Sequence, residues 1–133
     1  MCASANRGVK TSLVLPARND DFAVRVTSLS YYEELLEAGV NVYEFSAGLL
    51  HTKSLTVDGE FTLIGSANLD RRSFDLNYEN NTLLHDRTLT LQMRERQNSY
   101  LTSSREVSLD EVRGWGLSKR LWNNAVAIAG PVL

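Results

Sequence analysis

Asp58-Gly59 lies between two runs with strand character, residues 51–58 and 61–65. An Asp-Gly pair readily takes the positive φ angles of a two-residue turn, so it folds its flanks back on each other as a hairpin. In an extended strand residues i and i+2 share a face, so His51 and Lys53 point the same way, and Ser66 and Asn68 do so on the returning arm. An imidazole, an ammonium, a hydroxyl and a carboxamide are therefore expected to converge at one end of the hairpin. That set suits a phosphoryl group. Lys53 and Asn68 would neutralise and orient non-bridging oxygens, Ser66 would donate a hydrogen bond, and His51 would attack phosphorus. The chain contains no P-loop and no carboxylate cage for Mg²⁺, so the chemistry is expected to need no metal or other cofactor.

The rest of the composition bounds this reading. With 133 residues, 43% of them hydrophobic and 23% charged, the chain is expected to form one ordinary globular domain. No apolar run reaches the ~18–20 residues that span a bilayer, and residues 1–6 have no signal-peptide core behind the first charge. A single cysteine, Cys2, excludes an intrachain disulfide and suits a reducing compartment. Residues 1–86 hold 7 basic and 12 acidic side chains, and residues 87–133 hold 7 and 4. No basic stripe of the kind that displaces counterions from duplex DNA is present, so nucleic acid is not the expected partner. The basic last third suits anionic headgroups instead.

Along the chain, Thr11–Leu15 reads as a buried strand closed by Pro16, and Asp20 or Asp21 as the cap of a helix through Phe22, Val26 and Leu29. Ser30 and Glu33 have capping-box spacing ahead of Tyr31/Leu35 and Tyr32/Leu36, and Gly39 ends the turn. Val40–Phe45 alternates as a strand, and Leu76–Leu84 is another, rich in Asn. After Asp86 the pattern is helical, with Leu89, Met93 and Tyr100 near one face and a second capping box at Ser108 and Glu111. His85 reads as a surface residue. The order gives an α/β fold, one mixed β-sheet flanked by helices.

His51, Lys53, Asp58, Gly65, Ser66 and Asn68 together spell H-x-K-x4-D-x6-G-S-x-N. That pattern resembles the signature of the phospholipase D superfamily. The likeness extends to the flanks: Tyr31–Val40 before the motif, Ala67–Phe74 and Leu76–Asn81 after it, and Ser104–Val107 later are similar to the C-terminal motif-bearing half of bacterial cardiolipin synthases, over roughly residues 7–122. The resemblance implies a phospholipase D-like half-domain over residues 11–113, preceded by a truncated lead-in at 1–10. It makes His51 the nucleophile or general acid, Lys53 and Asn68 phosphate ligands, and Ser66 a supporting donor. Glu79 matches a family glutamate that hydrogen-bonds the histidine, where a carboxylate would fix the tautomer and favour the protonated ring. Asp58 belongs to the catalytic motif, but it sits at the turn with parity opposite to His51, so holding the hairpin is its main expected role. Asp70, Arg71 and Arg72 follow the site and read as a solvated turn or as headgroup contacts.

Enzymes of this kind work with two motifs, one histidine forming a phosphohistidine and the other protonating the leaving group. One motif is present here, and the membrane helices of full-length cardiolipin synthases have no counterpart, so a C-terminal portion of a longer protein is expected. Three readings follow. The chain is half of a phosphatidyltransferase that turns two phosphatidylglycerols into cardiolipin and glycerol, or a homodimeric phosphodiesterase or nuclease, or a catalytically silent fragment that binds anionic lipid. The partners implied by the first are phosphatidylglycerol, a second motif-bearing half from a longer chain or a second copy, and the membrane surface. The implied location is the bacterial inner membrane, peripherally or through N-terminal helices, with this piece alone soluble.

In residues 114–133, Trp115, Lys119, Arg120 and Trp122 adjoin the apolar Ala125–Ala129. Indoles and cations at such a boundary suit a membrane interface. The competing expectation is a helix that buries Leu121, Trp122 and Ile128 against protein.

Overall fold

The computed structural model describes residues 1–18, 22–68 and 78–116. They form two compact units, one from the described residues of 1–50 and 103–116 and one from those of His51–Thr102.

In the first unit a short helix α1 (Cys2–Ala5) precedes strand β1 (Ser12–Pro16). Helices α2 (Phe22–Ser30) and α3 (Tyr32–Glu37) then cross over to β2 (Asn41–Phe45), which pairs parallel to β1 from Ser12↔Asn41 to Pro16↔Phe45. Pro16 closes an edge strand, where a missing N–H costs little. Gly39 takes φ +88° after α3, a left-handed stop that frees the chain to enter β2. Val42 is fully buried, and its antiparallel partner on β6 (Ser104–Val107) is Val107, also buried. Together with Tyr32, Val40 and Val112 of α5 (Leu109–Arg113) they make the core, flanked by Leu13, Leu15, Leu35 and Trp115. The Trp115 ring lies 6.2 Å from that of Tyr32.

The second unit is an antiparallel meander, β3 (Ser54–Val57), β4 (Phe61–Gly65) and β5 (Asn81–His85), followed by helix α4 (Arg87–Leu101). Asp86 caps α4, its Oδ1 accepting from Leu89 N at 3.0 Å. The sheet face that carries Ser54, Thr56 and Thr62 packs on α4 through polar contacts. Thr62 and Thr90 are buried with their hydroxyls 2.9 Å apart, Thr56 donates to Gln97 Oε1 at 2.7 Å, and Gln97 donates back to Ser54 Oγ at 3.1 Å. The other face is apolar. Leu55, Leu63 and Leu83 register in one row, and Val57, Phe61 and His85 in the next. Leu55, Val57 and Leu83 remain 48, 42 and 65% exposed.

Several expectations need correction. The α/β class stands, but among the described residues the expected one sheet is two three-stranded sheets, because β2 pairs at its edges with β1 and β6, while β4 pairs with β3 and β5. Strand β6 (Ser104–Val107) is not among the strands expected from the sequence. The Ser30 capping box does not form, since Ser30 Oγ donates to Thr27 O at 2.7 Å inside the last turn of α2, and Tyr31 occupies the cap of α3. The box at Ser108 forms by half: Ser108 Oγ accepts from Glu111 N at 3.2 Å, but the Glu111 carboxylate is held by Arg105 at 2.5 Å. The strand read at 76–84 is Asn81–His85 in the described residues. His85 is exposed, and stacks on Phe61 at 4.4 Å. The cap at Asp20 or Asp21, the residues Asp70–Arg72 and the tail beyond residue 116 lie outside the described residues.

Candidate active site

The hairpin turn forms as its residues require. Asp58 and Gly59 take φ +52° and +74°, the signs of a type I′ turn, and Glu60 N donates to Val57 O at 3.0 Å. The register pairs Val57 with Phe61 and Ser54 with Ile64, which leaves Asp58, Gly59 and Glu60 in the loop, one residue more than a two-residue turn, and residues before Ser54 and after Gly65 leave the sheet at the same end. Strand β5 enters at that end too, with Asn81 opposite Gly65. Three chain segments meet there: 51–53, 65–68 and 79–81.

The meeting is hydrogen-bonded. Gly65 N donates to Lys53 O at 3.2 Å, and Ser66 N donates to Asn80 O at 3.0 Å. Ser66 Oγ donates to Glu79 Oε2 at 2.5 Å while accepting from Asn80 N at 2.9 Å. The serine hydroxyl has one proton, so its orientation is set by these two partners. His51, Ser66 and Asn68 are exposed, and Lys53 and Glu79 are half-buried. A site open to solvent on one side can receive a large diester.

Of the residues singled out in the sequence, Lys53, Ser66 and Glu79 are thereby joined through backbone and side-chain bonds, with His51 two residues before Lys53 and Asn68 two after Ser66. His51 and Lys53 are not in a strand, because β3 begins at Ser54; they lie on the segment leading into it. The bond defined here for Glu79 goes to Ser66. Asp58 is not brought to this cluster. The four residues of β3 lie between it and Lys53, five steps or about 16 Å at the rise of an extended strand. Its geometric role is the turn. Asn80 and Asn81 were not singled out, although both contact the 65–67 segment. Their only sequence signal is the Asn-rich start of the strand. Among the described residues no three His, Cys, Asp or Glu side chains gather to hold a metal ion.

A βαβ crossover in one unit and, in the other, a hairpin whose open end carries H-x-K and G-S-x-N are the parts of a phospholipase D-like protein. Solved structures agree on the fold: the phospholipase D family member Nuc from Salmonella typhimurium superposes with a TM-score of 0.69 at 20% identity, covering 80% of this chain and 70% of that one. Phosphatidylserine synthase from Haemophilus influenzae does so at 0.70 and 16% identity, covering 98% of this chain and 37% of that one. Within that class the chain belongs to the family described as cardiolipin synthase, PLD-like domain, which it matches over residues 1–101. It is 41% identical over 126 residues to cardiolipin synthase A of Cronobacter sakazakii, covering 95% of this chain and 25% of that protein. To cardiolipin synthase A of Escherichia coli O157:H7 it is 43% identical over 122 residues, covering 92% of this chain and 24% of the other. The chain thus spans about a quarter of the length of the curated relatives it matches.

Proposed function

We propose that this chain supplies one half of a phosphatidyltransferase site that makes cardiolipin and glycerol from two phosphatidylglycerols. The observation that carries the reading is the joining of the H-x-K and G-S-x-N segments at one sheet end, in a chain 41–43% identical to cardiolipin synthases. An imidazole nitrogen of His51 attacks the phosphorus of one phosphatidylglycerol, forming a P–N bond as the P–O bond to glycerol breaks. The departing glycerol oxygen takes a proton from an acid on a second motif-bearing half. A hydroxyl of the second phosphatidylglycerol then returns a proton to that group and attacks phosphorus, releasing His51 and cardiolipin. Lys53 and Asn68 hold the non-bridging oxygens as charge builds on them, and Ser66 and Glu79 fix the surrounding segment. The exposed apolar sheet face, Leu55, Val57 and Leu83, supports a second half as partner. The substrate places the working protein at an anionic membrane surface. No helix among the described residues is long and apolar enough to cross a membrane.

The test supplies a second motif-bearing half and labelled phosphatidylglycerol, and compares wild type with His51→Ala and His51→Asn. Both variants are expected to lose cardiolipin formation and trapping of labelled phosphate on protein. Activity within a few fold of wild type in either would refute the assignment. Lys53→Ala and Asn68→Ala should each lose roughly 10²-fold in rate.

A further inference from the structure

Gly65 and Asn81 are the last registered pair of the β4–β5 ladder, and beyond them the chain carries Ser66, Ala67 and Asn68 into the site. Two observations put the Asn81 side chain against this segment. Its Oδ1 accepts a hydrogen bond from Ala67 N at 3.4 Å. The same oxygen, with Asn80 O, occupies the space a Cβ on residue 65 would fill, so only glycine there allows the approach. Ser66 is already held by Glu79 and Asn80. The amide of Ala67 is the next point along the chain, and it lies between Ser66, bonded to Glu79, and Asn68, the side chain assigned to phosphate.

We propose that Asn81 is a positioning residue, its carboxamide oxygen clamping the Ala67 amide over Gly65 and so setting the spacing of Ser66 and Asn68 around a bound phosphate group. The phosphate part rests on the function proposed above; the clamp does not. A carboxamide serves where a carboxylate would not. Both accept from an amide, but an aspartate at this position would place a negative charge beside an anionic ligand.

Three forms of the ¹⁵N-labelled chain separate the alternatives: wild type, Asn81→Leu and Asn81→Asp. Each is followed by amide hydrogen exchange and by titration with inorganic phosphate. Asn81→Leu is expected to speed exchange at Ala67 by roughly fivefold, what one ordinary hydrogen bond is worth, with Thr62–Ile64 unchanged in β4. Asn81→Asp should keep the Ala67 protection yet bind phosphate about tenfold more weakly. Unchanged Ala67 exchange in Asn81→Leu overturns the clamp, whatever phosphate does. Equal phosphate affinity in wild type and both variants overturns its role in the site. If phosphate leaves the amides of residues 66–68 unmoved in wild type, the phosphodiester reading fails, and the phosphate part of the proposal with it; the clamp is still decided by the exchange at Ala67.

Discussion

Ser66 and Glu79 are bound hydroxyl to carboxylate at 2.5 Å, across 13 residues of sequence, at the end of the sheet where the motif converges. A hydrogen bond to an ionised group is worth more than a neutral one. Ser66→Ala is therefore expected to lower turnover of the reconstituted transferase by roughly 10- to 100-fold, the equivalent of ~1.5–3 kcal/mol. Thermal stability should hardly change at this exposed site. An unaltered rate constant would show that the serine does not act through this bond.

Asp58 and Gly59 make a separate prediction. A Cβ at residue 59 would meet Arg94 Nη1 at 3.7 Å and Leu91 Cδ2 at 3.8 Å, ordinary contacts, so Gly59→Ala is penalised by its φ of +74° rather than by crowding. A loss of about 1 kcal/mol in urea unfolding is expected. Asp58→Asn should be tolerated, since asparagine accepts left-handed geometry. It should also leave turnover within a few fold, because the turn is remote from His51. A hundredfold loss of rate in Asp58→Asn would restore a chemical role to the aspartate.

Thr62 and Thr90 satisfy each other in the interior. Thr62→Val leaves a hydroxyl without its partner and should cost ~1–3 kcal/mol. Replacing both by Val removes the mismatch, so the double variant should be more stable than the sum of the single losses implies. Far-UV circular dichroism across a urea series measures the cycle, and strict additivity would count against the pair.

Tyr32 gives a pH dependence. Its hydroxyl donates to Glu44 Oε1 at 3.3 Å, and burial, followed by the charge of that carboxylate, raises its pKa well above the ordinary 10.0. The folded state therefore holds the proton more tightly than the unfolded chain. Below about pH 10 both states are protonated and the contribution is whole; as pH rises further the unfolded chain releases its proton and stability falls. Tyr32→Phe should flatten the decline in unfolding midpoint above pH 10. Equal slopes for the two proteins would exclude Tyr32 as its source.

The hairpin was legible because Asp58-Gly59 permits few other conformations, and the motif because its spacing is long. Strand β6 was not. Of Ser104, Arg105, Glu106 and Val107 only Val107 is buried, so no alternation shows, and what holds Arg105 outward is a pair of carboxylates distant in sequence, Glu44 at 2.6 Å and Glu111 at 2.5 Å. Ser30 misled for the opposite reason: the spacing was right, but the hydroxyl found a nearer acceptor in Thr27. In the site, the Asp58-Gly59 turn foretold that the segments of Lys53 and Ser66 meet at one sheet end, but strand parity does not apply there, since residues 51–53 precede β3 and 66–68 follow β4. Asn81 could not be placed, because its contact with Ala67 depends on the register of a third strand.

The packing of Trp115 on Tyr32 also decides what light can report. Both indoles, Trp115 and Trp122, fall outside residues 51–102, so the unit that carries His51, Lys53, Ser66 and Asn68 contains no tryptophan. Trp115 packs on the first unit's core, so its emission registers the unfolding of that unit. A midpoint from emission that differs from one taken by circular dichroism would reveal two units melting apart. An emission curve alone would certify one unit as native and leave the one with the chemistry unwatched.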